Sequence, residues 1–363
     1  MRTETSHVPA GPARRRRPGA RLLAALIALA GLAAGAGGCT TDPQVIAQAN
    51  DVHQELEPTV VTDPELAAYV QKVGDRVVQT AAQLHAEQGA FDGAEPWMFQ
   101  NIQFHLVASP TLNAFTTGGT HVYLYSQLFE ESTTEDAFAA VVGHEFGHIL
   151  GRHVQQSMDR QMGILAAAGA AGLAGAALAE DGSRTQAGLG VGAAAMAAGN
   201  LFGLGFGRDN EREADKLGFW VYVHAGWDPD KFPDFFRTMI SKGYDTGGGM
   251  EAYLSSHPRL AERVQTAEQM AKSVTPQQRE QWRRPPVIGQ AEFDRLRNKS
   301  KQFTAAAAAA AKAGGNQQLL EAMQILDAFP ACVGGPDEAD EPPPAQQEAR
   351  REAGLPPVQR PGQ

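Results

Sequence analysis

Two histidines one helical turn apart, His144 and His148, enclose a carboxylate in the run His144-Glu145-Phe146-Gly147-His148. Positions four apart share a helix face, so both imidazoles can grip one ion with Glu145 beside it. Zinc held this way needs a third protein ligand and an open position for water. The run Glu211-Arg212-Glu213-Ala214-Asp215 offers that ligand from a second helix. Glu211 and Asp215 share one face of it, whereas Glu213 points the opposite way and reads as a solvated charge. Water bound to such a zinc ionises near pH ~7. Glu145 can take its proton during attack on a peptide carbonyl and return it to the leaving amine. The flanking Val141-Val142-Gly143 and Ile149-Leu150 make the first helix apolar, an interior in which unpaired His and Glu would be costly. His153 falls one residue short of the third position of the longer three-histidine pattern. A helix continued through it turns it away from His148, so it is expected to be exposed.

These side chains need elements to hold them. Apolar residues recur at helical spacing over residues 63–84, after an Asp63-Pro64 start suited to an N-cap and first turn. Residues 102–107 and 121–125 read as strands, with Asn113 to Gly119 between them, and suggest a hairpin or small antiparallel sheet. Thr133 or Thr134 caps the helix that carries His144. Further helices are expected at 210–225, 233–240, 260–271 and within 291–329. Residues 163–206 are dominated by Gly and Ala around a polar turn at 180–185, and read as a helical hairpin packed on the protein or on a membrane surface. Each arm is only marginally long enough to span a bilayer.

The N-terminus reads as an export signal: Arg14 to Arg17 form a basic region, residues 22–34 an apolar one, and Ala36-Gly37-Gly38-Cys39 follows. This resembles a bacterial lipobox, which implies lipidation of Cys39, and Thr40 after it implies the outer membrane. Cys332 then has no partner, and no internal disulfide is expected. The chain carries a formal charge of -10, and -15 once the basic residues 1–38 are removed. Such a surface repels phosphate backbones, which excludes nucleic acid as a partner. The tail from Val333 is rich in Pro and Glu and is expected to be disordered. No 34-residue periodicity supports a helical repeat array.

Asn113 to Gly119, the His144 to His148 motif, Glu211 to Asp215 and Ser256-His257-Pro258, in that order, resemble the HtpX-like and CAAX-prenyl-protease-like family of zinc metallopeptidases, and most of all its periplasmic BepA- and LoiP-like branch. The likeness covers roughly residues 45–270. It implies a mainly α fold with a small antiparallel β-sheet, an α+β zincin of the gluzincin type, whose edge strand accepts extended substrate. Together with the shared helix face, it implies one Zn2+ per chain on His144, His148 and Glu211, with Asp215 holding His144 by its other ring nitrogen. It also implies that His257 acts as a latch, a fourth ligand released when the loop at Gly247-Gly248-Gly249 moves, and that Arg263 stabilises an oxyanion.

The expected organisation is a lipoprotein-type signal peptide at 1–38, a metallopeptidase domain at 39–290 that includes the 163–206 hairpin, a helical extension at 291–332 and a disordered tail at 333–363. The expected function is a periplasmic, lipid-anchored endopeptidase that cleaves unfolded or misassembled envelope proteins. The alternatives are a chaperone-like envelope protein with a latched or structural zinc, and a membrane-embedded protease.

Overall fold

The computed structural model describes residues 40–160, 206–241, 260–314 and 316–328. The expected signal with Cys39, the Gly/Ala-rich hairpin up to residue 205, the Gly247 loop, His257 and the tail with Cys332 lie outside the described residues. The chain divides into two units. One, Met1–Cys39 with Leu165–Asn200, falls outside the described set, and every element below belongs to the other.

Helix α1 (Asp42–Leu56) leads to α2 (Pro64–Gln88), where Asp63 caps as the sequence predicts by accepting from the amides of Glu65 and Leu66. The α2 stripe of Leu66, Val70, Val73, Val77 and Leu84 is buried. Strands β1 (Gln103–Val107), β2 (Ala114–Thr116) and β3 (His121–Tyr125) form one sheet in the order β1-β3-β2. This corrects the expectation of a purely antiparallel sheet. β2 pairs antiparallel with β3, but β1 and β3, the two strands legible in the sequence, run parallel with Gln103 opposite His121. The chain leaves β1, passes to the far edge as β2, and only then turns back into the middle. A parallel neighbour requires such a detour, since a tight hairpin can join only antiparallel strands.

After α3 (Ser126–Glu131), Thr134 caps α4 (Glu135–Leu150), whose residues are all buried except Asp136. A helix surrounded on all sides lies in the core rather than on it. Its first residue anchors the C-terminal part of the fold: the Glu135 carboxylate accepts bonds from Trp227 Nε1 at 3.0 Å and from the amides of Val287 and Ile288 at 2.6 and 3.0 Å. Helix α5 (Arg208–His224) packs along α4. Helices α6 (Asp234–Ser241), α7 (Leu260–Ser273) and α8 (Pro276–Trp282) follow. Helices α9 (Gln290–Ala313) and α10 (Gln317–Ala328) fold back on the same core. Phe293 of α9 packs against Tyr69 and Phe129, and Tyr125 donates its hydroxyl to the carbonyl of Leu326 in α10 at 2.8 Å. Among the described residues no helix is long and apolar enough to cross a membrane.

The crossing of α4 and α5 depends on glycine. A Cβ on Gly218 would stand 2.6 Å from the carbonyl oxygen of Gly143, and one on Gly147 would stand 2.5 Å from that of Ala214. Both lie closer than van der Waals contact allows, so only small residues let the two backbones meet. The Gly218→Ala variant is therefore expected to push the helices apart, lowering stability by about 1–3 kcal/mol and weakening whatever is held between them. Thermal melts with and without added zinc measure both effects.

Candidate metal centre

Because α4 and α5 approach so closely, His144 and His148 of one face Glu211 of the other. The two Nε2 atoms are 3.1 Å apart, and each lies 3.5 Å from a different oxygen of Glu211. The imidazole planes stand at 90°, and all three residues are at most 3% exposed. These donors fit a zinc ion: bonds of ~2.0–2.1 Å in tetrahedral directions give ligand-to-ligand distances of ~3.3 Å, close to those seen. Both Glu211 oxygens are buried and make no hydrogen bond of ordinary length among the described residues. Burial pushes its carboxyl up from the usual range, and a nearby cation would relieve that cost. Glu145, between the two histidines in sequence, is fully buried.

Behind His144 stands a second carboxylate. Asp215 Oδ1 is 2.9 Å from His144 Nδ1, and Arg263 donates to both Asp215 oxygens, from Nε at 2.8 Å and Nη2 at 2.6 Å. Arg263 Nη1 is 3.6 Å from Glu211, and the guanidinium lies 4.1 Å over the Phe236 ring. Burial pushes the Asp215 carboxyl up, but Arg263 and His144 outweigh it and hold the group at about 2. Burial and Arg263 both act to lower His144, yet Asp215 and Glu211 prevail and raise it to about 10. The carboxylates thus make this spot favour positive charge.

His153 is not exposed as the helical extrapolation suggested. It is 0% exposed, with Nδ1 2.9 Å from His148 Nδ1 and Nε2 3.3 Å from Glu213. The extrapolation fails because α4 stops at Leu150 and Arg152 takes a left-handed φ of 56°, which turns the chain back toward the site. Gly151 makes room, since a Cβ there would meet the His153 ring at 2.3 Å. Glu213 is half-exposed as expected, although it is paired rather than merely solvated. Phe206 stacks on His148 at 4.1 Å. Neither it nor the glycines at the crossing is evident from the motif alone, although Gly143 just before the motif and Gly147 within it, four residues apart, are the available signal.

No sequence spacing links His53 of α1, His105 of β1 and His121 of β3, yet the fold brings one nitrogen of each within 4.8 Å of the others. Here the His53 ring stacks on its partners at 10° and 27°. Lone pairs lie in the ring planes, so near-parallel rings cannot converge on one ion as the perpendicular pair His144 and His148 does. This group instead makes a pH-sensitive joint. Burial, aided by neighbouring histidines, lowers His105 to about 3 and His121 to about 4, whereas an unfolded histidine titrates near its ordinary 6.5. Between those values the unfolded chain takes up protons that the folded chain refuses. Stability is therefore full above pH ~6.5 and falls as the pH drops toward 4. Urea unfolding at pH 7.5 and 4.5 is expected to differ by about 4–5 kcal/mol through these two histidines, with screening at the less buried His121 already discounted, and His105→Gln should remove about half of the difference.

The model of peptidase family M48 matches residues 64–271. A Vibrio cholerae protein is 30% identical over 222 residues, and the beta-barrel assembly-enhancing protease of Escherichia coli is 28% identical over 219. Each of these matches takes in 60% of this chain and 41% of the relative, so the chain spans about two fifths of their length. The mitochondrial metalloendopeptidase OMA1 of Schizosaccharomyces pombe is 28% identical over 167 residues, 46% of either chain.

Proposed function

The chain belongs to peptidase family M48, and from that premise we propose that it is a zinc-dependent endopeptidase with Glu145 as general base. The observation that carries the reading is the convergence of His144, His148 and Glu211 from two helices, with donor separations of 3.1, 3.5 and 3.5 Å. Zinc held there would act as a Lewis acid and ionise water near neutral pH. Glu145 accepts the proton of the attacking water and delivers it to the departing amine. Asp215 orients His144, and Arg263 keeps Asp215 ionised and in place. Its bidentate engagement favours that task over stabilising an oxyanion. A purely structural zinc has no use for a buried base, which favours an enzyme over a chaperone-like binding protein.

The sheet edges support a mode of substrate entry. Along β1 the outer edge is taken: Val61 donates to the Leu106 carbonyl, Ala108 donates to that of Thr59, and the Phe104 amide donates to Gln71. On β2 the Tyr125 amide donates to the Asn113 carbonyl, and the alternation of an antiparallel ladder then directs the carbonyl of Ala114 and the peptide groups of Thr116 away from β3. An extended polypeptide laid along β2, which packs on α4, would be held by main-chain bonds with little dependence on sequence. Unfolded or misassembled envelope proteins are substrates of that kind. The relatives' names favour an envelope setting, and the lipidated Cys39, an outer-membrane location and the His257 latch complete the reading.

Purified protein is expected to contain one zinc per chain and to digest casein, with cleavage lost to a chelator and regained on adding zinc. Material without a transition metal, or digestion indifferent to chelation, would sink the proposal.

A further inference from the structure

We propose that His153 and Glu213 form a positioning relay that holds His148 in its metal-ligating tautomer. The inference rests on the zinc reading and concerns how one ligand is oriented. His148 Nε2 faces Nε2 of His144 at 3.1 Å and Glu211 at 3.5 Å, so its lone pair must point there and the ring proton must sit on Nδ1. That Nδ1 is 2.9 Å from His153 Nδ1. Of two ring nitrogens in contact, one donates and one accepts, so His153 accepts on Nδ1 and carries its own proton on Nε2. Nε2 in turn lies 3.3 Å from Oε2 of Glu213, which is placed to accept that proton. A single arrangement of protons satisfies the whole chain. The reverse arrangement aims a His148 proton at His144 and a His153 lone pair at a carboxylate.

The backbone is shaped for this contact. The left-handed Arg152 turns the chain back, its guanidinium is tied to Asp42 at the start of α1, and Gly151 leaves space for the ring. Phe206 stacks on His148 with the planes at 22° and fixes its rotation. The Nδ1 of His144 leans on Asp215 directly, whereas the Nδ1 of His148 is linked to Glu213 through the His153 ring. Outer partners of this kind orient an imidazole and strengthen it as a ligand. The His148 relay ends on a half-exposed residue, so ligand strength at the buried centre can be altered from the surface.

The test is zinc affinity, measured by competition with a chromophoric chelator on metal-stripped wild type, His153→Leu, His153→Gln and Glu213→Gln. Leucine removes the relay, and affinity should fall by roughly 10–100-fold. Glutamine keeps an acceptor oxygen and a donor nitrogen and should stay within about threefold of wild type. Glu213→Gln should fall between the two. Equal affinity of His153→Leu and wild type overturns the proposal, as does equal weakness of the Leu and Gln variants when both melt like wild type. Should His153→Leu fail to fold, the surface change decides: a weaker site in Glu213→Gln supports the relay, and an unchanged one removes it. Wild type that binds no zinc would instead defeat the metal reading itself.

Discussion

Replacing Glu145 with Gln is expected to leave zinc bound at full stoichiometry while kcat/KM for a quenched peptide falls by roughly 10²–10⁴-fold. The change keeps the shape of a side chain that is fully buried on α4, where any change of volume would disturb the packing. It also removes the one capacity the mechanism needs, since an amide oxygen cannot take and return a proton at neutral pH. Position decides the expected size: Glu145 adjoins His144 on a helix buried on nearly every side, so no other base is expected to replace it cheaply. At about 1.4 kcal/mol per tenfold, the loss corresponds to roughly 3–5 kcal/mol of transition-state stabilisation. A variant within tenfold of wild type would remove Glu145 as the base. A variant that loses its metal would make Glu145 a ligand instead.

The parts of this molecule that the sequence disclosed are those governed by local rules. Asp63-Pro64 and Thr134 start helices because a side-chain oxygen next to a first turn satisfies amides that have no other partner. His144, His148, Glu211 and Asp215 could be grouped because a four-residue interval means a shared face wherever a helix persists. The failures come where that rule stops applying. His153 was extrapolated along a helix that ends at Leu150, and a single left-handed residue reverses its direction. Strand positions were readable, but pairing is a property of the route between strands, and the detour through β2 leaves only a weak signature in a three-residue strand. The closeness of α4 and α5 depends on what glycine lacks, and absent atoms have no periodicity.

Substituting Glu211 with Gln should separate folding from metal binding, with an effect that depends on whether zinc is present. In chelator-stripped protein, burial already pushes the Glu211 carboxyl toward its neutral form. The amide is nearly its isostere, so unfolding free energies of variant and wild type should agree within about 1 kcal/mol. With zinc in excess the two should part. A ligand that binds only the folded state stabilises wild type by about 4 kcal/mol at a free concentration a thousand times Kd. A site without its second-helix carboxylate should lose more than the roughly 10–100-fold in affinity that removal of an outer partner costs. Parallel urea titrations with zinc and with chelator give the comparison, and cleavage should vanish with the metal. If the variant were equally destabilised under both conditions, Glu211 would be a structural carboxylate and the two helices would not be joined through an ion. Equal stability under both conditions with zinc still bound would place the third ligand elsewhere, with Asp215, 2.9 Å from His144, as the next carboxylate to replace.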